Sequence, residues 1–337
     1  MKHVKWVDIE NFHSMRRCFQ KRPDLLPDGK SVVTYRGKVK LHGTNAGIAV
    51  DADGTVYAMS RTSVITPEND NVGFAKWVDS QKDALAAFAP PTGTIVLYGE
   101  WCGPGIQKGV AISQIKERVF AVFAAFRIED DKRTGIIVEP IALKHVCEKA
   151  FGHEYDHVIP WFNEGERFTV DWTASAEDLE DVLSRINARV AEVEACDPFT
   201  SKQFGVDGTG EGLVMYPVDS PQYDHFSALV FKAKGDAHRV MGKTKAAQAD
   251  PTVMSSLREF AENACTVSRM EQGVRAVNEG ELVFDMKKTG DFCRWISGDI
   301  EKECLSEMEA SGIELKLGKN ACVNYAKVWY VKNAQSL

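Results

Sequence analysis

Apolar and polar residues alternate with period two in short stretches over the first two thirds of the chain and recur with helical spacing over the last third. The alternation predicts strands at Tyr35–Lys40, Ala46–Asp51, Thr55–Arg61, Thr94–Glu100, Arg118–Ile128, Gly210–Tyr216 and Ala228–Lys234. The first two read as the arms of a tight turn, and Gly43 lets the backbone approach a ligand there. Helical spacing of Phe74, Trp77, Val78 and Leu85 predicts a helix over Val72–Phe88, stopped at Pro90-Pro91-Thr92-Gly93. A second helix carries the stripe Leu179, Val182, Leu183, Ile186, Val190 and Val193 behind a capping-box-like start at Ser175 and Asp178, its acidic face in solvent. Trp6–Gln20 reads as a short helix or an irregular lead-in before a turn at Pro23–Pro27. Beyond Ala246 the strands stop. Asp250-Pro251 opens a helix, Ser268 and Glu271 cap another, and Phe292–Met308 and Asn320–Val331 are periodic. The expectation is an α+β domain over residues 1–245, antiparallel sheets with flanking helices, and a small all-α domain over residues 246–337.

With 337 residues, 44% hydrophobic and 26% charged, the chain has the composition of a soluble two-domain protein. No apolar run reaches membrane-spanning length, and Met1–Gln20 lacks a signal-peptide core, so no membrane association and a cytoplasmic location are expected. The eight cysteines form no Cys-x-x-Cys pair, which fits reduced thiols. His145, Cys147, His153 and His157 match no structural zinc spacing. A net charge of −7 is unusual for a protein that binds nucleic acid, but the charge is unevenly spread. Residues 1–40 carry ten Lys or Arg against four acids, residues 232–245 five against one, and residues 164–197 three against ten acids. Local field decides which face attracts phosphate.

The candidate chemistry begins at Lys38-Val39-Lys40-Leu41-His42-Gly43-Thr44-Asn45, where Lys40 stands at a strand end as a candidate nucleophile. This stretch resembles motif I, Lys-x-Asp/His-Gly, of the covalent nucleotidyltransferases: DNA ligases, RNA ligases and mRNA capping enzymes. Its longer form, Lys-x-His-Gly-Thr-Asn, looks like the RNA ligase 2 family. Four further resemblances follow in the family's order. Tyr98-Gly99-Glu100-Trp101-Cys102-Gly103 resembles motif III, Arg118–Ile128 motif IIIa, Gly210-Glu211-Gly212-Leu213-Val214 motif IV, and Lys232-Ala233-Lys234 motif V. Two positions depart from the pattern. Arg127 replaces the usual aspartate, leaving Phe120, Phe123 or Phe126 as the stacking aromatic, with Phe123 the choice, and Val39 precedes the nucleophile where several relatives have glutamate.

The resemblance implies a nucleotidyltransferase (ATP-grasp-like ligase) catalytic domain and an ATP-dependent RNA ligase. Such an enzyme seals 3′-hydroxyl and 5′-phosphate ends through a lysyl-AMP and an adenylylated 5′-phosphate. By the same resemblance Lys40 is the nucleophile, Glu100 binds the ribose, Phe123 stacks on adenine, and Glu211 helps hold Mg²⁺ or Mn²⁺. Lys232 and Lys234 hold phosphates and, as like charges, favour a neutral Lys40. Arg61, in Ser60-Arg61-Thr62, and Asn45 contact AMP or the incoming phosphate, and His42 acts in adenylation or transfer. The expected partners are ATP and RNA, double-stranded or nicked, bound by a monomer with help from the helical tail, in the cytoplasm or, for a virus-encoded enzyme, the host cytoplasm. The alternatives are a DNA ligase or a capping guanylyltransferase on the same domain, and a catalytically idle RNA-binding relative.

Overall fold

A computed structural model of the chain describes residues 3–26, 29–175, 177–218, 223–234, 251–310 and 313–335. Two sheets form the frame. The first has five strands in the order β1 (Glu10–Asn11), β11 (Phe231–Lys234), β10 (Gly212–Pro217), β2 (Val32–Val39) and β9 (Phe168–Asp171). The second has six, in the order β5 (Val64–Ile65), β4 (Val56–Ser60), β3 (Thr44–Asp51), β6 (Thr94–Cys102), β7 (Val119–Glu129) and β8 (Lys132–Ile137). Neighbours run antiparallel except β1 and β11. The chain is therefore α+β, built on antiparallel sheets with flanking helices.

Side-chain alternation decides which face each strand buries. On β2, Val33, Tyr35 and Val39 are buried in the larger apolar cluster on the face opposite Lys38, where the Tyr35 hydroxyl donates to the Leu229 carbonyl at 3.1 Å and the Trp172 indole donates to Tyr35 at 3.0 Å. The second sheet is apolar on both faces. Ala49, Val96, Tyr98 and Phe126 face the first sheet, while Ile48, Leu97, Trp101 and Phe120 form a separate cluster with Phe74, Val78, Leu85 and Leu143.

Among the described residues seven helices flank the sheets: α1 (Phe12–Lys21), α2 (Phe74–Ser80), α3 (Lys82–Ala87), α4 (Pro140–Phe151), α5 (Glu180–Ala195), α6 (Pro198–Phe204) and α7 (Tyr223–Leu229). Four more, α8 (Pro251–Ala264), α9 (Val267–Val277), α10 (Thr289–Ala310) and α11 (Leu315–Ala334), enclose an apolar core of their own that includes Phe260, Met270, Phe292, Ile300 and Tyr330. The expected boundary at 245/246 lies outside the described residues. No helix among the described residues is long and apolar enough to cross a membrane.

Several expectations change. Tyr35–Lys40 and Ala46–Asp51 are strands but not a hairpin, because β2 and β3 belong to different sheets and residues 40–43 carry the chain across. The helix expected over Val72–Phe88 is two short helices that meet at Gln81, and the first begins after Gly73 in the left-handed region. Ser175 accepts from the Asp178 amide at 3.1 Å, yet α5 starts at Glu180, and its apolar side Val182, Ile186, Val190 and Val193 is buried. Thr266, not Ser268, caps α9 by accepting from the Arg269 amide at 3.2 Å. Within Trp6–Gln20 only the stretch from Phe12 is helical, capped by Asn11, which accepts from the Ser14 amide at 2.9 Å.

Candidate active site

The crossing from sheet to sheet places Lys40 at the mouth of a cavity between them, with α9 and α10 as a further wall. The backbone fixes its neighbour. Leu213 pairs with Val39, and the Lys40 amide donates to the Gly212 carbonyl at 2.8 Å, so the residue preceding Gly212 faces the lysine side chain. Gly212 has φ +140°, and a Cβ there would lie 2.3 Å from the Ala233 carbonyl oxygen, so the approach of β10 to β11 excludes a side chain. Glu211 is thereby held in the cavity wall, 3% exposed, with Oε2 2.6 Å from Lys40 Nζ and 3.3 Å from His42 Nδ1. Its Oε1 lies 3.2 Å from Lys234 Nζ. Burial pushes the Glu211 carboxyl up, and Lys40, Lys234 and His42 outweigh it, holding the group well below the usual carboxylate range.

Glu100 stands near the end of β6, paired in register with Asn45 of β3. It accepts from the Gly43 amide at 2.9 Å. A Cβ on Gly43 would lie 2.5 Å from the Trp101 carbonyl oxygen and 2.8 Å from Glu100 Cγ. The glycine expected to admit a ligand also admits the end of β6, and it lines the cavity. Burial raises the Glu100 pKa to about 7, against the opposing pull of Lys40. Beside it, the Asn45 side-chain oxygen is buried and has no hydrogen-bond partner among the described residues.

Phe123 owes its place to a bulge. Tyr98 pairs with Ala124 and Gly99 with Val122, so Phe123 is the extra residue of β7. Phe123 and Ala124 consequently both face the first sheet, whereas Phe120 points to the opposite face among Phe74, Trp77 and Trp101. Phe123 lines the cavity beside Trp6, ring centroids 5.1 Å apart; Phe120 and Phe126 do not line it. Arg127 is outside the cavity, donating to the Thr92 carbonyl at 3.1 Å.

Two expected phosphate ligands already have carboxylate partners from the helical region. Glu303 of α10 bridges Arg61 Nη2 at 2.5 Å and Lys232 Nζ at 3.2 Å. Asp299, one turn away, lies 3.7 Å from Arg61 Nη1 and 3.0 Å from Arg269 Nε. Burial raises the Glu303 carboxyl, and Lys232, Arg61 and Arg269 together hold it far below the ordinary range. Gln272 reaches over from α9 to donate to the Thr44 hydroxyl at 3.1 Å.

All the expected site residues, Lys40, His42, Asn45, Arg61, Glu100, Phe123, Glu211, Lys232 and Lys234, line this one cavity. Arg269, Gln272 and Glu303 line it as well, with Asp299 behind Arg61 and Arg269 and Lys38 buried behind Phe123, and none of the five was expected. Only Lys38 left a trace in the sequence, as the first lysine of Lys38-Val39-Lys40. The histidine and cysteine candidates lie elsewhere: His145 is exposed beside Glu148, and Cys147 is on the buried face of α4. Among the described residues no three His, Cys, Asp or Glu side chains are grouped to hold a metal. A carboxylate such as Glu211 could hold a hard cation whose other ligands are phosphate oxygens and water.

The RNA ligase family model matches residues 34–234. No curated protein matches the chain. Among solved structures, a Naegleria gruberi RNA ligase with PPi is 19% identical with a TM-score of 0.43, covering 70% of this chain and 57% of its own. A variant of that ligase with ATP and Mn is 18% identical with a TM-score of 0.44, covering 70% and 57%. This chain thus spans little more than half the length of those proteins.

Proposed function

The chain belongs to the RNA ligase family, and from that premise we propose that it is an ATP-dependent RNA ligase working through a covalent Lys40-AMP. The carrying observation is the convergence on one cavity of six separate stretches of chain, 40–45, 61, 100, 123, 211 and 232–234, around the 2.6 Å contact of Lys40 with Glu211. Adenylation forms a bond from Lys40 Nζ to the α-phosphorus of ATP, breaks the bond to the bridging oxygen and releases pyrophosphate. A 5′-phosphate oxygen of RNA then displaces Lys40, and a 3′-hydroxyl finally displaces AMP. Each step is phosphoryl chemistry in which positioning and charge neutralisation do most of the catalysis.

Glu211 orients the Lys40 amine, and Lys234 and His42 keep its carboxylate ionised. Arg61, Lys232 and Lys234 are the cations for the triphosphate and, later, the 5′-phosphate. Glu100 and Asn45, side by side, offer oxygens to the ribose, and Phe123 offers a ring to the adenine. Mg²⁺ or Mn²⁺ would be held by Glu211 and would neutralise phosphate charge. Residues 1–245 would form the adenylylating domain and residues 246–337 a helical domain that helps engage RNA, with nicked duplex as the substrate.

The test is transfer of label from α-labelled ATP, and in parallel GTP, to acid-precipitated protein with a divalent metal, followed by sealing of nicked RNA and nicked DNA. ATP label lost in Lys40→Ala, with sealing of RNA, is the expected result. Label from GTP would favour the capping reaction, and label retained in Lys40→Ala would overturn the mechanism.

A further inference from the structure

Lys38 shares a face of β2 with Lys40 but points deeper, and at 1% exposure it is one of the largest fully buried side chains. Its Nζ donates to the Phe123 carbonyl at 3.0 Å. That carbonyl belongs to the bulge residue, which has no Cα partner on β6. The bond crosses from the first sheet to the second at the level of the cavity. On either side stand two rings, Trp161 with its centroid 5.1 Å from Nζ and Tyr216 at 5.5 Å. The same seam is stitched by backbone: the Val122 amide donates to the His157 carbonyl at 2.8 Å, and the Phe162 amide donates to the Gly37 carbonyl at 2.8 Å.

A buried amino group with one backbone acceptor and two aromatic faces is costly compared with an unbranched apolar side chain of the same length. Methionine would fill the space without that cost. It could not donate to the bulge carbonyl. We propose that Lys38 is a positioning residue of the nucleotide site: its bond to the Phe123 carbonyl holds the β7 bulge in register, and so holds the Phe123 ring where adenine stacks. The inference rests on the adenylation reading above. It assigns to the first lysine of Lys38-Val39-Lys40 the base end of the nucleotide, while the second takes the α-phosphate.

The test is a double-mutant cycle on the full chain with Lys38→Met, Phe123→Ala and the pair, reading the KM for ATP in Lys40 labelling. Inhibition of labelling by inorganic tripolyphosphate, which has phosphates but no base, is the second readout. Each single variant should raise the KM for ATP about tenfold, the worth of one base–aromatic stack, and the pair should raise it no more than about twofold further. Tripolyphosphate inhibition should stay at the wild-type level throughout. Effects that multiply to about a hundredfold, a wild-type KM in Lys38→Met, or a parallel loss of tripolyphosphate inhibition would each overturn the inference while leaving a labelled wild type intact. A wild type that takes no label would instead remove the adenylate site itself, and the inference with it.

Discussion

Lys40 Nζ and Glu211 Oε2 are 2.6 Å apart, the tightest pairing of a candidate nucleophile with an acid in the cavity. The direct neighbour of Lys40 is thus an anion, and Lys234 stands on the far side of the same carboxylate. Glu211→Gln should lower the rate of Lys40 labelling by at least about a hundredfold, because it removes the negative charge that holds the Lys40 amine and the carboxylate available to a metal. The check is single-turnover labelling across a range of Mn²⁺ concentrations. Recovery of the wild-type rate at high Mn²⁺ would show that the carboxylate is dispensable.

Glu100 predicts a pH dependence. Burial lifts its pKa to about 7, above the ordinary value of 4.5. As a carboxylate it can accept from the Gly43 amide and a ribose hydroxyl together; protonated, it loses acceptor capacity. The KM for ATP should therefore climb as pH falls through 7, and Glu100→Gln should flatten that limb at a uniformly raised value. The stability consequence has the opposite sense. A carboxyl whose folded pKa is raised binds more protons folded than unfolded between pH 4.5 and 7, so its contribution to stability declines as pH rises across that window. Thermal melts of the wild type and Glu100→Gln should diverge over the same interval.

Glu303 sits on the two cations, Arg61 and Lys232, that the proposed reaction would use for phosphate. A triphosphate must displace that carboxylate or share its partners. Glu303→Gln should lower the KM for ATP about threefold to tenfold, the equivalent of roughly 1 kcal/mol, while lowering the melting temperature because two part-buried cations lose an anion. Labelling kinetics and a thermal melt on the same preparation test both halves. An unchanged or higher KM would mean that Glu303 assists the site.

What was legible in the sequence was local. Lys40, Glu100, Glu211, Lys232 and Lys234 each sit beside a glycine or a second lysine at a strand end, and short-range spacing is enough to suggest them. Three features were not local. Residues 40–43 read equally as a hairpin turn or as a crossing between two sheets, because turn chemistry does not say which strand the chain will pair with next. The bulge at Phe123 was hidden because β7 is apolar on both faces, and a continuous apolar run carries no phase. Glu303 and Asp299 read as the polar side of a helix, and Arg61 and Glu303 are 242 residues apart, so only the tertiary fold brings them together. Thr266 shows a smaller version of the same limit. Ser268 alone read as the cap, whereas the helix starts at Val267 behind Thr266 and Ser268 is buried inside it.

Lys38 yields a prediction that is independent of catalysis. Burial lowers its pKa from 10.5 to about 7, with Glu139 pulling the other way. Between those values the unfolded chain holds a proton that the folded chain has released, so stability rises with pH across the window. Below about pH 7 the folded protein must keep a charged ammonium buried, and the cost is felt in full. Lys38→Met has no such group. Its melting temperature should exceed that of the wild type most clearly at pH 6, and the gap should narrow steadily towards pH 9 as Lys38 enters the fold uncharged. Scanning calorimetry of the two proteins in matched buffers measures that difference, and because every other titrating group is common to both, its slope with pH belongs to Lys38. A gap that is constant with pH would mean that Lys38 keeps an ordinary pKa in the folded protein; a gap that widens with pH would mean that the folded state favours its charged form.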